Sequence, residues 1–140
     1  MKVLFISSFS PIVADPAASR EFYAGKLGVP LDKGEGDYVF TDTFEGAKHF
    51  GLWPLRDPAQ SCFGTDTWPA DVPVPQACVE FEVEDVDAAA SELVDAGLEL
   101  LHPVKTEPWG QVIARVLSPD GLLVGVTWVP WHHPTDGKDE

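Results

Sequence analysis

The chain runs through one order of elements twice, and this repeat constrains its fold more than any other feature. Val3 to Phe9 reads as a strand, after which Asp15-Pro16 opens a helix. Asp15 is placed to cap it, and Pro16 suits the first helical position. Phe22, Tyr23 and Leu27 fall at helical spacing, and Gly28 stops the helix. Strands are expected near 29–33, 38–42 and 48–54. In the second half "ACVEFEV" is a strand, "EDVDAAASELVDAG" an Asp-capped helix ending at Gly97, and Leu98 to Val104 an extended run. "QVIARVLS" and "LLVGVTW" form a hairpin around Pro119-Asp120-Gly121. The helix-stop glycines stand 97 − 28 = 69 positions apart. Each half is therefore a strand, a helix and three strands, as a duplicated unit would give.

The predicted fold class is α+β, with two tandem βαβββ modules in a single domain spanning 1–140. The modules cover 1–54 and 77–129. A proline-rich connector of little periodicity joins them over 55–76, and residues 130–140 form a polar tail expected to fray. A chain of 140 residues is long enough to bury a real core.

Charge narrows the partners. There are 23 acidic against 9 basic residues, a net charge of −14. Such a field repels nucleic acid and anionic membranes, whose binding needs clustered Lys and Arg, and it draws in cationic small molecules. No apolar run approaches the roughly 20 residues of a membrane helix, and "MKVLFISSFS" is too short for a secretory signal. Cys62 and Cys78 make neither a disulfide framework nor a close-spaced metal motif. A cytoplasmic location is expected.

The stretches "VADPAASREFYAGKLGVPL" and "VEFEVEDVDAAASELVDAGLEL", with Trp109-Gly110 and "SPDGLLVGV", carry a family resemblance. Over Val3 to Trp128 the chain resembles the vicinal oxygen chelate superfamily, which includes glyoxalase I, bleomycin-resistance proteins, fosfomycin-resistance enzymes and extradiol dioxygenases. The resemblance implies that each module forms half of a curved, incomplete barrel around a ligand cavity. It also implies up to four metal ligands in the metal-dependent members, at positions that fall here on Ser8, Gly51, Cys78 and Gly125. Glycine has no ligating atom and serine is a poor ligand for a divalent ion. No metal is expected at these positions and no cofactor is implied. Gly51 and Gly125 are instead expected to clear the cavity floor.

Strand alternation predicts what faces the cavity. Ile6, Ser8, His49, Gly51 and Trp53 point inward from the first module. Cys78, Glu80, Glu82, Leu123, Gly125 and Thr127 do so from the second, while Val79, Phe81 and Val83 face the covering helix. Trp109 lies in a loop before a strand and is a further ligand contact. The bland alternatives are a solvated strand face for Glu80 and Glu82, and ordinary core for Trp53. His49 and His102 are candidate acid–base groups. His132 and His133 have no assigned role, Cys62 is a bystander thiol, and Trp68, Trp128 and Trp131 are unplaced.

Two classes of function follow from the resemblance. The leading one is a binding protein like the metal-free bleomycin-resistance branch, which confers antibiotic resistance by sequestering a planar or cationic molecule between aromatic side chains. The rival is a glyoxalase- or dioxygenase-type enzyme with relocated metal ligands, drawn from His49, Glu80, Glu82 and His102. A metal-free isomerase or cyclase using Glu80 as base is a third reading. Family members commonly form homodimers, and the apolar first strand "VLFI" is expected to leave a sheet edge for a second copy.

Overall fold

The computed structural model describes residues 1–133. The two halves use the same device to start their helices. The Asp15 carboxylate accepts from the backbone N–H of Ala18 at 3.1 Å, and Asp85 accepts from Ala88 at 3.0 Å. Each cap satisfies a backbone donor that has no partner within the helix. The first helix, α1 (Pro16–Arg20), continues as a π-helical stretch over Glu21–Lys26. Its counterpart, which we label α3, spans Val86–Asp95.

Eight strands form one open sheet: β1 (Phe5–Val13), β2 (Asp32–Lys33), β3 (Val39–Thr41), β4 (Phe50–Pro54), β5 (Ala77–Glu82), β6 (Lys105–Thr106), β7 (Val112–Leu117) and β8 (Leu123–Trp128). Their order is β2-β3-β4-β1-β5-β8-β7-β6. β1 pairs in parallel with β4, β5 pairs in parallel with β8, and β1 meets β5 antiparallel. The pairing pattern is the same read from either end, as a duplicated βαβββ unit requires. The fold is the α+β architecture expected, an open curved sheet rather than a closed barrel.

This topology corrects one expectation. The first strand offers no free edge, because β1 lies in the middle of the sheet between β4 and β5. The outermost strands are β2 and β6, of two residues each, which present little backbone for another chain to pair with. The edge argument for a homodimer therefore falls away.

The connector over 55–76 is itself structured. This segment carries a helix, α2 (Arg56–Phe63), closed by Gly64 at φ 74°. Cys62 of α2 packs with Cys78 and Leu123, flanked by Ile12, Trp53 and Leu117. Trp68 is buried beyond the helix, its Nε1 donating to the Val72 carbonyl at 3.0 Å and its ring edge-on to Phe63. The connector thus covers part of the concave side of the sheet. Two further clusters lie elsewhere: Val83, Val86, Ala89, Ala90, Ala114 and Val126 around α3, and Val13, Val39 and Leu52 against Tyr23 and Phe50. Of the tail, Pro130–His132 form a turn of 3₁₀-helix, and residues 134–140 lie outside the described residues.

Candidate functional site

The β3–β4 hairpin builds one wall of a cavity of about 280 Å³. Its register sets Phe40 opposite Gly51 and Thr41 opposite Phe50, so Tyr38, Phe40 and Asp42 share a face with His49, Gly51 and Trp53. All of these but Gly51 line the cavity. From the second module come Glu80, Trp109, Gln111 and Arg115. A larger cavity of about 650 Å³ shares Tyr38, Phe40, Trp53 and Trp109 with it.

Across β1 the lining is Ser7, Ser8 and Ser10. The β1–β5 register slips between Ile6 and Ser8, leaving Ser7 as an extra residue. A bulge of this kind reverses the inward and outward alternation on one side of it. Ile6, expected to point inward, is instead 56% exposed, while Ser7 is buried with no hydrogen-bond partner for its hydroxyl.

Arg115 on β7 organises the interior. Its guanidinium is fully buried, and Nη2 stands 3.2 Å from Glu80 Oε2 and 3.7 Å from Glu107 Oε2. Nη1 donates to Ser61 Oγ on α2 at 2.6 Å, and Ser61 donates in turn to Glu107 at 2.6 Å. The Trp53 ring lies over the guanidinium at 5.2 Å. Burial, the largest single influence, opposes the charge on Arg115, but Glu80, the two cysteines and Glu107 together outweigh it and hold the group above its ordinary range. On Glu80 every acceptor site is used: Oε1 receives Ser8 at 3.1 Å and Gln111 at 2.8 Å, and Oε2 receives Arg115 and the Cys78 thiol at 3.8 Å. Gln111 also donates to Thr127 and accepts from Trp109 Nε1 at 2.8 Å.

The opposite wall holds a second chain of polar groups that the sequence reading missed. Tyr38 Oη bonds to His49 Nε2, and His49 Nδ1 bonds to Asp42. Burial, reinforced by the Glu80 charge, pushes the Tyr38 hydroxyl well above its ordinary 10.0. A raised acid favours the fold most while its unfolded counterpart is also protonated. The contribution from Tyr38 is therefore complete below pH 10 and drains as pH rises through the folded value. Urea midpoints should fall more steeply above pH 10 in the wild type than in Tyr38→Phe, whereas parallel curves would contradict the assignment.

The residues singled out from sequence divide clearly. Ser8, His49, Trp53, Glu80 and Trp109 line the cavity together. Cys78 and Leu123 do not, because α2 packs over them. Glu82 is fully buried and turned to the chain end, where Oε2 accepts from the Val129 N–H at 2.7 Å and His133 Nε2 at 2.6 Å. His133 stacks on Trp128 at 3.4 Å, and His132 and Trp131 line the cavity, so the tail residues before 134 are part of the structure. His102 is buried outside the cavity, bonded to the Pro103 carbonyl at 2.7 Å and lowered by burial, which keeps it neutral.

The two glycines make room, but not for a ligand. A Cβ on Gly51 would meet Tyr38 Oη at 2.5 Å, and one on Gly125 would meet Ile113 Cδ1 at 2.7 Å and Glu80 Cγ at 3.2 Å. The metal implied by the resemblance does not fit these residues. Tyr38 occupies the space above Gly51, Ile113 that above Gly125, and the Cys78 thiol is buried under α2 and held by its burial well above its ordinary range. The relocated set fails too, since His49, Glu80, Glu82 and His102 each have other partners. Among the described residues no three His, Cys, Asp or Glu side chains gather as a metal ion would need.

A family model described as a glyoxalase-like domain matches residues 6–128. No curated protein matches the chain. Among solved structures, the fold is similar to a glyoxalase/bleomycin resistance protein/dioxygenase superfamily member from Vibrio splendidus 12B01. That structure is 15% identical, with 91% of this chain and 100% of that one covered at a TM-score of 0.58. Streptomyces coelicolor methylmalonyl-CoA epimerase in complex with 2-nitronate-propionyl-CoA is 17% identical, covering 91% and 98% at 0.57. Methylmalonyl-CoA epimerase from Mycobacterium tuberculosis is 16% identical, covering 90% and 88% at 0.58. At such identities the likeness speaks for the fold alone. The family model, spanning most of both modules, carries the assignment further: this chain belongs to the glyoxalase-like domain family of the vicinal oxygen chelate superfamily.

Proposed function

We propose that the chain binds a small planar organic molecule in the cavity between its modules, holding it by stacking and hydrogen bonds without a metal. The observation that carries this is the wall itself. Phe40, Trp53 and Trp109 line one cavity with Tyr38 and His49, while the positions a metal would use are filled by Tyr38 and Ile113. A volume of about 280 Å³ suits one or two fused rings. The small molecule bound by the Streptomyces coelicolor neighbour accords with this reading. Sequestration of a flat antibiotic is one service such binding would perform.

The cationic half of the sequence expectation loses its support at the site. Arg115 offsets the Glu80 charge, and Glu82 faces the chain end. Catalysis with Glu80 as base is also disfavoured, since its lone pairs are already engaged. Planarity, not positive charge, is the property selected.

The test is calorimetric titration of a panel of flat one- and two-ring aromatics against wild type, Trp53→Ala and Trp109→Ala. Loss of a stacking wall should weaken binding about 5- to 150-fold, a cost of roughly 1–3 kcal/mol. Each ligand should be recovered chemically unchanged. Equal affinity in both variants, or turnover of a bound compound, would defeat the proposal.

A further inference from the structure

Tyr38, His49 and Asp42 stand one behind another from the cavity towards solvent. Tyr38 is at the cavity, His49 is partly buried, and the Asp42 side chain is 46% exposed. The direction of each hydrogen bond follows from chemistry. A carboxylate only accepts, so His49 Nδ1 carries the hydrogen that faces Asp42. In the neutral ring Nε2 is then a bare lone pair, and Tyr38 must donate to it. With its one hydrogen committed, Tyr38 Oη offers only lone pairs to anything bound above it.

Most donors of the second polar wall are likewise committed, the exceptions being the buried Ser7 hydroxyl and the Arg115 Nε–H, which have no partner among the described residues. Ser8 spends its hydrogen on Glu80, and Gln111 Nε2 donates both of its hydrogens, to Glu80 and to Thr127. Arg115 has its Nη atoms engaged by Ser61, Glu80 and Glu107. The groups facing Tyr38 are acidic or neutral: Glu80 and Cys78 from β5, Asp57 from α2 and Asp42 behind it. With burial they keep the phenol protonated, so it does not become an anion that would itself demand a donor.

We infer that the cavity selects planar ligands bearing a hydroxyl, phenols or enols, whose O–H donates to Tyr38 Oη, and that Asp42 and His49 are the positioning residues that keep Tyr38 an acceptor. This rests on the reading of the cavity as a planar-ligand site and adds the polar group the ligand must carry. Van der Waals stacking alone does not distinguish a phenol from its ether. A fixed acceptor does, because only the phenol can donate a further hydrogen bond to the Tyr38 Oη lone pair.

Naphthol and its methyl ether separate the two readings, since they share the flat ring and differ in the donor. Calorimetry should find naphthol bound about tenfold more tightly by the wild type. Tyr38→Phe keeps the ring above Gly51 and removes the acceptor, so the ratio should collapse to about one. Asp42→Asn, whose amide can donate to Nδ1 and release Tyr38 to donate instead, should also shrink the ratio. A wild-type ratio near one, or a ratio that survives Tyr38→Phe, would overturn this inference while leaving ring binding intact. Failure of both compounds to bind would overturn the planar-ligand reading and this one with it.

Discussion

Arg115→Ala should cost roughly 3–5 kcal/mol of stability, because it strands buried carboxylates rather than merely removing a contact. Glu80 is 7% and Glu107 4% exposed, and the guanidinium between them is the cation that both face. Lys105 reaches Glu107 at 3.2 Å, which limits the loss there, but no other cation bonds to Glu80 among the described residues. The same arginine ties α2 to the sheet through Ser61, so its loss should loosen the helix that covers Cys78 and Leu123. Arg115→Lys should recover only part of the loss, since a point charge cannot span Ser61, Glu80 and Glu107 at once. Pairing Arg115→Met with Glu80→Gln should cost less than the sum of the single changes, as one buried charge no longer lacks its partner. Urea unfolding measures all of these. A loss below about 1 kcal/mol for Arg115→Ala would show that the buried pair is worth no more than a surface one.

Much of the frame was legible because it is local. Asp15-Pro16, Asp85, Gly28 and Gly97 write the helix limits into short stretches, and the 69-residue offset exposes the duplication. Strand parity also placed His49, Trp53 and Glu80 correctly on the inner side. It failed where one residue alters the count, as at the bulge of Ser7, which no turn residue announces. Helix α2 is as amphipathic as α3 but far more polar overall, so it does not stand out, although Pro58 in its first turn and Gly64 past its end were a usable signal. Tyr38 and Asp42 needed one more step than parity along a strand, namely the pairing of β3 with β4. Arg115 carried the plainest missed clue, a cation amid the apolar residues of "QVIARVLS" with an inward place and no local partner. What covers an inward residue is a property of distant packing. That is why Cys78 and Leu123 were placed at the cavity while α2 in fact closes over them.

Gly51→Ala is the sharpest probe of the cavity floor. The added methyl would lie 2.5 Å from Tyr38 Oη, 2.8 Å from Cε1 and 2.9 Å from Cζ, so a rigid ring rather than a flexible tip must move. Tyr38 is stacked on Phe40 at 5.6 Å, and Phe40 on His49 at 5.4 Å, which leaves little freedom to slide. Overpacking of this kind should cost about 1–3 kcal/mol and should pull the hydroxyl off His49. Gly125→Ala meets the far end of the Ile113 side chain at 2.7 Å and Glu80 Cγ at 3.2 Å, neither of them part of a rigid ring, so its cost should be smaller. A double-mutant cycle separates crowding from a general loss of backbone freedom. Tyr38→Ala leaves a void beside Gly51, and Gly51→Ala partly fills it, so the double variant should be more stable than the single effects predict. Strict additivity would mean that the added methyl harms the strand by itself, and that Gly51 is not there to house Tyr38.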